Sequence, residues 1–117
     1  MNPADSTTNW RRVCRADDVA AKGKIEVLLD RKLALILWLD GGLRACAGLC
    51  PHAFAPLVDG AIEDGRIHCA RHKASFDLQT GAPDPHWRIA PLPIYGTRII
   101  DGWVEIDAPQ ASVGASS

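Results

Sequence analysis

Cys50-Pro51-His52 and Cys69-Ala70-Arg71-His72 each set one thiol and one imidazole at close spacing, and sixteen residues separate His52 from Cys69. That interval is long enough for a hairpin to fold the second pair back onto the first, so four soft-to-borderline metal ligands can meet at one point. Two chemistries use such a set. A tetrahedral zinc site usually draws both cysteines from one element and both histidines from another. Here each element gives one of each, which suits a cluster of two irons and two sulfides. One iron would take Cys50 and Cys69, the other His52 and His72. Zinc is the competing metal.

The elements that must position these residues are short. Trp10 to Arg15 can form a first strand, and 17–23 is a turn-rich connection with room for one helical turn. Ile25, Val27 and Leu29 alternate with Glu26, Leu28 and Asp30, the period of a strand with one wetter face. Arg31-Lys32 turns the chain back into Leu33 to Leu39, an apolar run consistent with a strand covered on both faces. After the turn signal Asp40-Gly41-Gly42, Leu43 to Gly48 returns as a strand and delivers Cys50. Asp64-Gly65 between Ala61-Ile62-Glu63 and Arg66-Ile67-His68 is a two-residue hairpin turn that carries Cys69 back. Ala74 to Leu78 is a short strand, and the proline-bearing stretch 82–93 reads as an ordered surface loop, because proline cannot donate to a ladder. Thr97 to Ile100 and Trp103 to Ile106 flank Asp101-Gly102 as a last hairpin. Short strands, frequent turns and no convincing amphipathic helix imply an all-β sandwich or barrel. Residues 1–9 read as a flexible arm, 10–107 as one domain and 108–117 as a disordered tail.

At 117 residues the chain can bury a core unaided, and a formal net charge of -1 points to neither a nucleic-acid nor an anionic-membrane surface. The longest apolar run is too short to span a bilayer, and the residues after Arg11-Arg12 are polar where an export signal needs an apolar stretch. A cytoplasmic location is the expectation. Cys14 and Cys46 then read as buried free thiols in strands. His68 reads as a strand residue and His86 as a loop residue, neither at ligand spacing, and Trp87 as a packing residue of the proline-rich loop.

The spacing C-x-H-x16-C-x2-H closely resembles the signature of the Rieske [2Fe-2S] proteins. The likeness continues through Ala55-Pro56-Leu57, Asp59-Gly60, Ile62 to Ile67, Phe76-Asp77-Leu78 and Thr80-Gly81. It implies an antiparallel β-sandwich or barrel with a cluster-binding subdomain, about 46–82, at one end, and the stretch 82–93 as a loop over one side of the cluster. It also implies one [2Fe-2S] cluster per chain held by Cys50, His52, Cys69 and His72. Respiratory members add a disulfide between the cluster loops, and Ala55 and Arg71 stand at those positions here. They also place serine and tyrosine hydroxyls near the cluster sulfurs, where this chain has Ala74 and Phe76. Many relatives have a glycine where this chain has Lys73, and Arg71 with Lys73 forms a candidate basic docking rim.

A small member with no catalytic domain resembles the ferredoxin component of bacterial aromatic-ring-hydroxylating dioxygenase systems. That likeness implies an electron carrier, not an enzyme, passing electrons from an NADH-dependent flavin reductase to a terminal Rieske oxygenase. The alternatives are a Rieske-like small subunit of nitrite reductase or another oxidoreductase, and a zinc-stabilised interaction module. Two ferric ions, two sulfides and two thiolates sum to zero charge, so adding an electron costs less than in an all-cysteine cluster. Without hydroxyl donors to stabilise the reduced form, the reduction potential should lie at the low end of the Rieske range, about -150 mV. A redox titration measures it, and a value above zero would contradict this reading.

Overall fold

The computed structural model describes residues 10–29, 31–39, 42–51, 55–69, 74–85 and 89–107. The expected arm and tail, and His52, Arg71, His72, Lys73, His86 and Trp87, lie outside the described residues. The elements in chain order are β1 (Trp10–Arg15), α1 (Ala16–Lys22), β2 (Lys24–Leu29), β3 (Lys32–Leu39), β4 (Gly42–Ala47), β5 (Ile62–Glu63), β6 (Arg66–His68), β7 (Ser75–Asp77), β8 (Ile94–Ile100) and β9 (Trp103–Asp107). They form a six-stranded sheet in the order β1-β9-β8-β4-β3-β2 and a three-stranded sheet in the order β5-β6-β7. Every pairing is antiparallel. The all-β expectation holds.

The apolar run in β3 decides how the two sheets are joined. Successive side chains of a strand point to opposite faces, and β3 is buried on both. Leu35 and Leu37 enter one core, Ala34 and Ile36 the other. In β4 the same alternation sends Cys46 to the first core and Ala45 to the second. The second core draws Val13 and Cys14 of β1, Ile25 and Val27 of β2, and Val104 and Ile106 of β9. Both edge strands of the large sheet therefore close on one interior. The first core joins the other face of β3 and β4 to Ile67 and Phe76 of the small sheet, together with Cys50 and Cys69.

On the outer face, Arg98 stacks over the Trp10 ring at 4.1 Å and pairs with Glu105 at 2.7 Å, tying β8 to β1 and β9. Asp64-Gly65 and Asp101-Gly102 have positive φ at both positions, as a two-residue turn matched to strand twist requires.

Two elements differ from expectation. The connection after β1 is a seven-residue helix, not a single turn within a loop. Asp17 and Asp18 lie in its first turn and Lys22 in its last, matching the helix dipole, and Gly23 caps it at φ 81° with its N–H on the Val19 carbonyl. Only Val19 is buried, so the sequence shows no apolar stripe there. Strand β8 begins at Ile94, three residues before the expected start, because Ile94 and Tyr95 pair with Cys46 and Ala45 of β4. No local pattern marks a partner that far away in the chain.

The two-sided burial of β3 has a measurable consequence. Ile36→Ala and Leu37→Ala should each cost about 2–5 kcal/mol in denaturant unfolding, as large-to-small core changes do. Under native conditions only Leu37→Ala should speed hydrogen exchange at the Cys50 and Cys69 amides. Equal exchange in both variants would show that the two cores are not distinct.

Candidate metal centre

Beyond β4 the chain enters a first loop with ladder-like closures. The Gly48 N–H reaches the Leu33 carbonyl at 2.8 Å, and the Leu57 N–H reaches the Gly48 carbonyl at 2.8 Å. Between them the Cys50 N–H donates to the Ala55 carbonyl at 2.8 Å. The second loop repeats this device. His68 pairs with Ser75 at the end of the small sheet, and the Cys69 N–H donates to the Ala74 carbonyl at 2.9 Å. Each closure runs from a cysteine to the fifth residue after it and encloses four residues, among them one histidine of the motif.

Three contacts hold the loops together. A methyl built on Gly60 would run into the His68 carbonyl, so only glycine lets the first loop press against β6. The His68 N–H then donates to the Ala61 carbonyl at 2.8 Å, immediately before Cys69. From the large sheet, Lys24 Nζ donates to the Gly60 carbonyl at 2.7 Å. Arg66 binds the far side of the second loop, its Nε on Ser75 Oγ at 3.0 Å and its Nη2 on the Ser75 carbonyl at 3.2 Å. Ser75 is the one buried polar side chain among the described residues. Lys24 carries no local sequence signal, since its partner lies thirty-six positions on.

The proline-bearing stretch is anchored more deeply than a surface loop. Phe76 bridges to Pro83, the Asp84 N–H reaches the Ser75 carbonyl at 2.9 Å, and Leu92 is fully buried in the same core as Cys50 and Cys69. Leu92 is the apolar anchor that its flanking prolines conceal in the sequence.

Cys50 and Cys69 are both buried in that core, with Ala74 and Phe76 beside them in the same cluster. Burying two thiolates in an apolar interior is costly unless a cation accepts them. This donor set therefore fits a metal. Among the described residues no three metal-binding side chains converge, and His52 and His72 lie outside those residues. His68 is in β6, with Nε2 3.9 Å from Glu63 Oε1. Cys14 and Cys46 are free thiols; Cys46 is buried in the first core, whereas Cys14, expected to be buried, is only half-buried and packs against the second. Burial and the Asp18 carboxylate both raise the Cys14 pKa. Burial raises that of Tyr95, with a contribution from Cys46.

Residues 9–95 match the Rieske [2Fe-2S] domain. The chain belongs to that family. It is 40% identical over 98 residues to the anthranilate 1,2-dioxygenase ferredoxin subunit of Burkholderia cepacia, covering 84% of this chain and 91% of that one. It is 31% identical to sulredoxin of Sulfurisphaera tokodaii, covering 84% and 97%. Among solved structures, the Sphingomonas yanoikuyae B1 ferredoxin superposes with a TM-score of 0.76 at 32% identity, covering 86% of this chain and all of that one. No helix among the described residues is long and apolar enough to cross a membrane.

The cofactor of this Rieske domain is a [2Fe-2S] cluster, which supplies a site that gains and gives up one electron. The chain's own residues set its surroundings. Leu57, Ile67, Phe76 and Leu92 exclude water around the two cysteines. Ala74 and Phe76 offer no side-chain hydrogen-bond donor to that interior. Cys46 shares the core, and its thiol is pushed up to about 12 by burial. The folded state thus holds that proton more tightly than the unfolded chain does. The stability this contributes is complete below the ordinary thiol value of 9.0 and is lost as pH rises from there to about 12. Iodoacetamide at about pH 8 should leave Cys46 unmodified in the folded protein and label it in denaturant, as read by mass spectrometry. Labelling of Cys46 in the folded state would contradict its burial.

Proposed function

We propose that the chain is a one-electron carrier between an NADH-oxidising flavin reductase and the terminal oxygenase of an aromatic-ring-hydroxylating dioxygenase system. The observation that carries this reading is the matched pair of cysteine closures, each holding a motif histidine within its four enclosed residues. The relatives support the role, since the 40% identical protein is a ferredoxin subunit of a dioxygenase and spans nearly the same length.

In this reading Cys50 and Cys69 hold one iron, buried, and His52 and His72 hold the other. Arg71 and Lys73 form a basic rim beside the histidines. Residues 10–107 are the functional domain, with the cluster subdomain at 46–82, and the arm 1–9 and tail 108–117 are appended to it. The protein works in the cytoplasm. Aromatic specificity belongs to the oxygenase, because a carrier needs no substrate site and no general base.

The test is direct. Purified protein should be red-brown, give a rhombic paramagnetic signal when reduced, and bleach when NADH and a flavin-containing ferredoxin reductase are added. It should then restore NADH-dependent turnover of a ring-hydroxylating oxygenase. Cys50→Ser and Cys69→Ser should each abolish the colour and the electron flow. A colourless protein that binds zinc would end the electron-transfer account. A coloured protein that no dioxygenase reductase can reduce would move the assignment to another oxidoreductase.

A further inference from the structure

Beside the first cluster loop the surface opens into a groove of about 480 Å³. Its lining is mostly apolar and includes Leu33 at the start of β3, Leu49 and Pro51 of the cluster loop, and Tyr95 of β8. Arg31 and Lys32, both exposed, stand at its rim. Among the described residues no carboxylate lines the groove and no ion pair to Arg31 or Lys32 occurs. Two cations of one sign are therefore left beside an apolar hollow, in a chain whose net charge is only -1.

A small ligand would find no buried polar side chain among the described lining residues to fix its orientation. An apolar floor with a rim of one charge is instead what a protein partner uses. A side chain anchors in the hollow, and charges around it set the register and the approach. Pro51 in the wall is bonded directly to Cys50, so whatever occupies the groove sits against the first cluster loop.

We propose that this groove is a docking site for a redox partner of the carrier, which inserts an apolar side chain flanked by carboxylates that meet Arg31 and Lys32. The proposal rests on the carrier reading for the partner's identity. It uses other residues than the rim proposed at Arg71 and Lys73. Leu33 and Tyr95 give the anchor its contact surface. Arg31 comes from the turn between β2 and β3 and Lys32 from the first position of β3, neither in a loop that carries a motif cysteine.

The probe is a fluorescent synthetic peptide with one phenylalanine flanked by glutamates, titrated into the cluster-loaded protein and followed by anisotropy. Binding should weaken about tenfold in the double variant Arg31→Glu/Lys32→Glu at low salt, and the difference should fade at high salt. Leu33→Ala should weaken it equally at both salt concentrations, and a peptide with serine for phenylalanine should bind less well than the parent. The double variant should also raise the carrier's KM with the flavin reductase or with the oxygenase while leaving its visible spectrum and potential unchanged. Peptide binding unaffected by either substitution, or absent altogether, overturns the proposal. Should the groove bind as described in a protein that no NADH-linked reductase reduces, the carrier reading fails and the docking site stands. Should the protein carry electrons normally while the double variant changes neither affinity nor KM, the docking site fails alone.

Discussion

Two thiol side chains must lie in one apolar core, yet both belong to loops, and a loop's backbone amides need partners of their own. The Cys50 and Cys69 N–H groups resolve this by donating to the carbonyls of Ala55 and Ala74. Each bond both satisfies a buried donor and closes the loop, so the cysteine is fixed at the rung where the loop meets the body of the protein. The rest of the architecture serves that arrangement. Strands β4, β6 and β7 lead into and out of the two rungs, and the core beneath them is shared with β3.

That sharing explains why so small a chain needs two cores. The interior closed by the six-stranded sheet includes neither Cys50 nor Cys69, since its buried members come from the strands and from Val19 of the helix. It gives the domain a foundation of its own. The second interior is built on the back of the same strands, where Leu35, Leu37 and Cys46 meet Ile67, Phe76 and Leu92. A site assembled on rigid strands keeps its geometry better than one assembled on loops alone, and here both cysteine loops are seated on a core whose base is β3 and β4.

The link between the two cysteine loops is equally economical. Gly60 allows the first loop to lie against β6, where Ala61 takes the His68 N–H, and Lys24 holds the same turn from the large sheet. Arg66 spans β6, β7 and the segment after them through Ser75 and Ala82. These are charged or polar groups used as fasteners, each with a backbone carbonyl as partner. Being polar, they specify one arrangement of loops that apolar packing by itself would leave loose.

Ligand chemistry and the tight turns were legible in the sequence. The order of Cys50, His52, Cys69 and His72 limits the metals, because thiolate and imidazole have fixed preferences. Asp64-Gly65 and Asp101-Gly102 announce hairpins, because few residue pairs tolerate positive φ twice in succession. These are local properties of residue type and spacing. What tertiary structure alone decided is non-local: that β8 starts early to pair with β4, that Lys24 reaches Gly60, that Leu92 anchors the proline-rich stretch, and that Arg31 and Lys32 stand over a hollow next to Pro51. Each depends on a partner distant in the chain, and no period or propensity encodes which distant groups will meet. The short helix falls between the two cases. Its acidic start, basic end and Gly23 cap are written locally, but a single buried Val19 is too little pattern to show them.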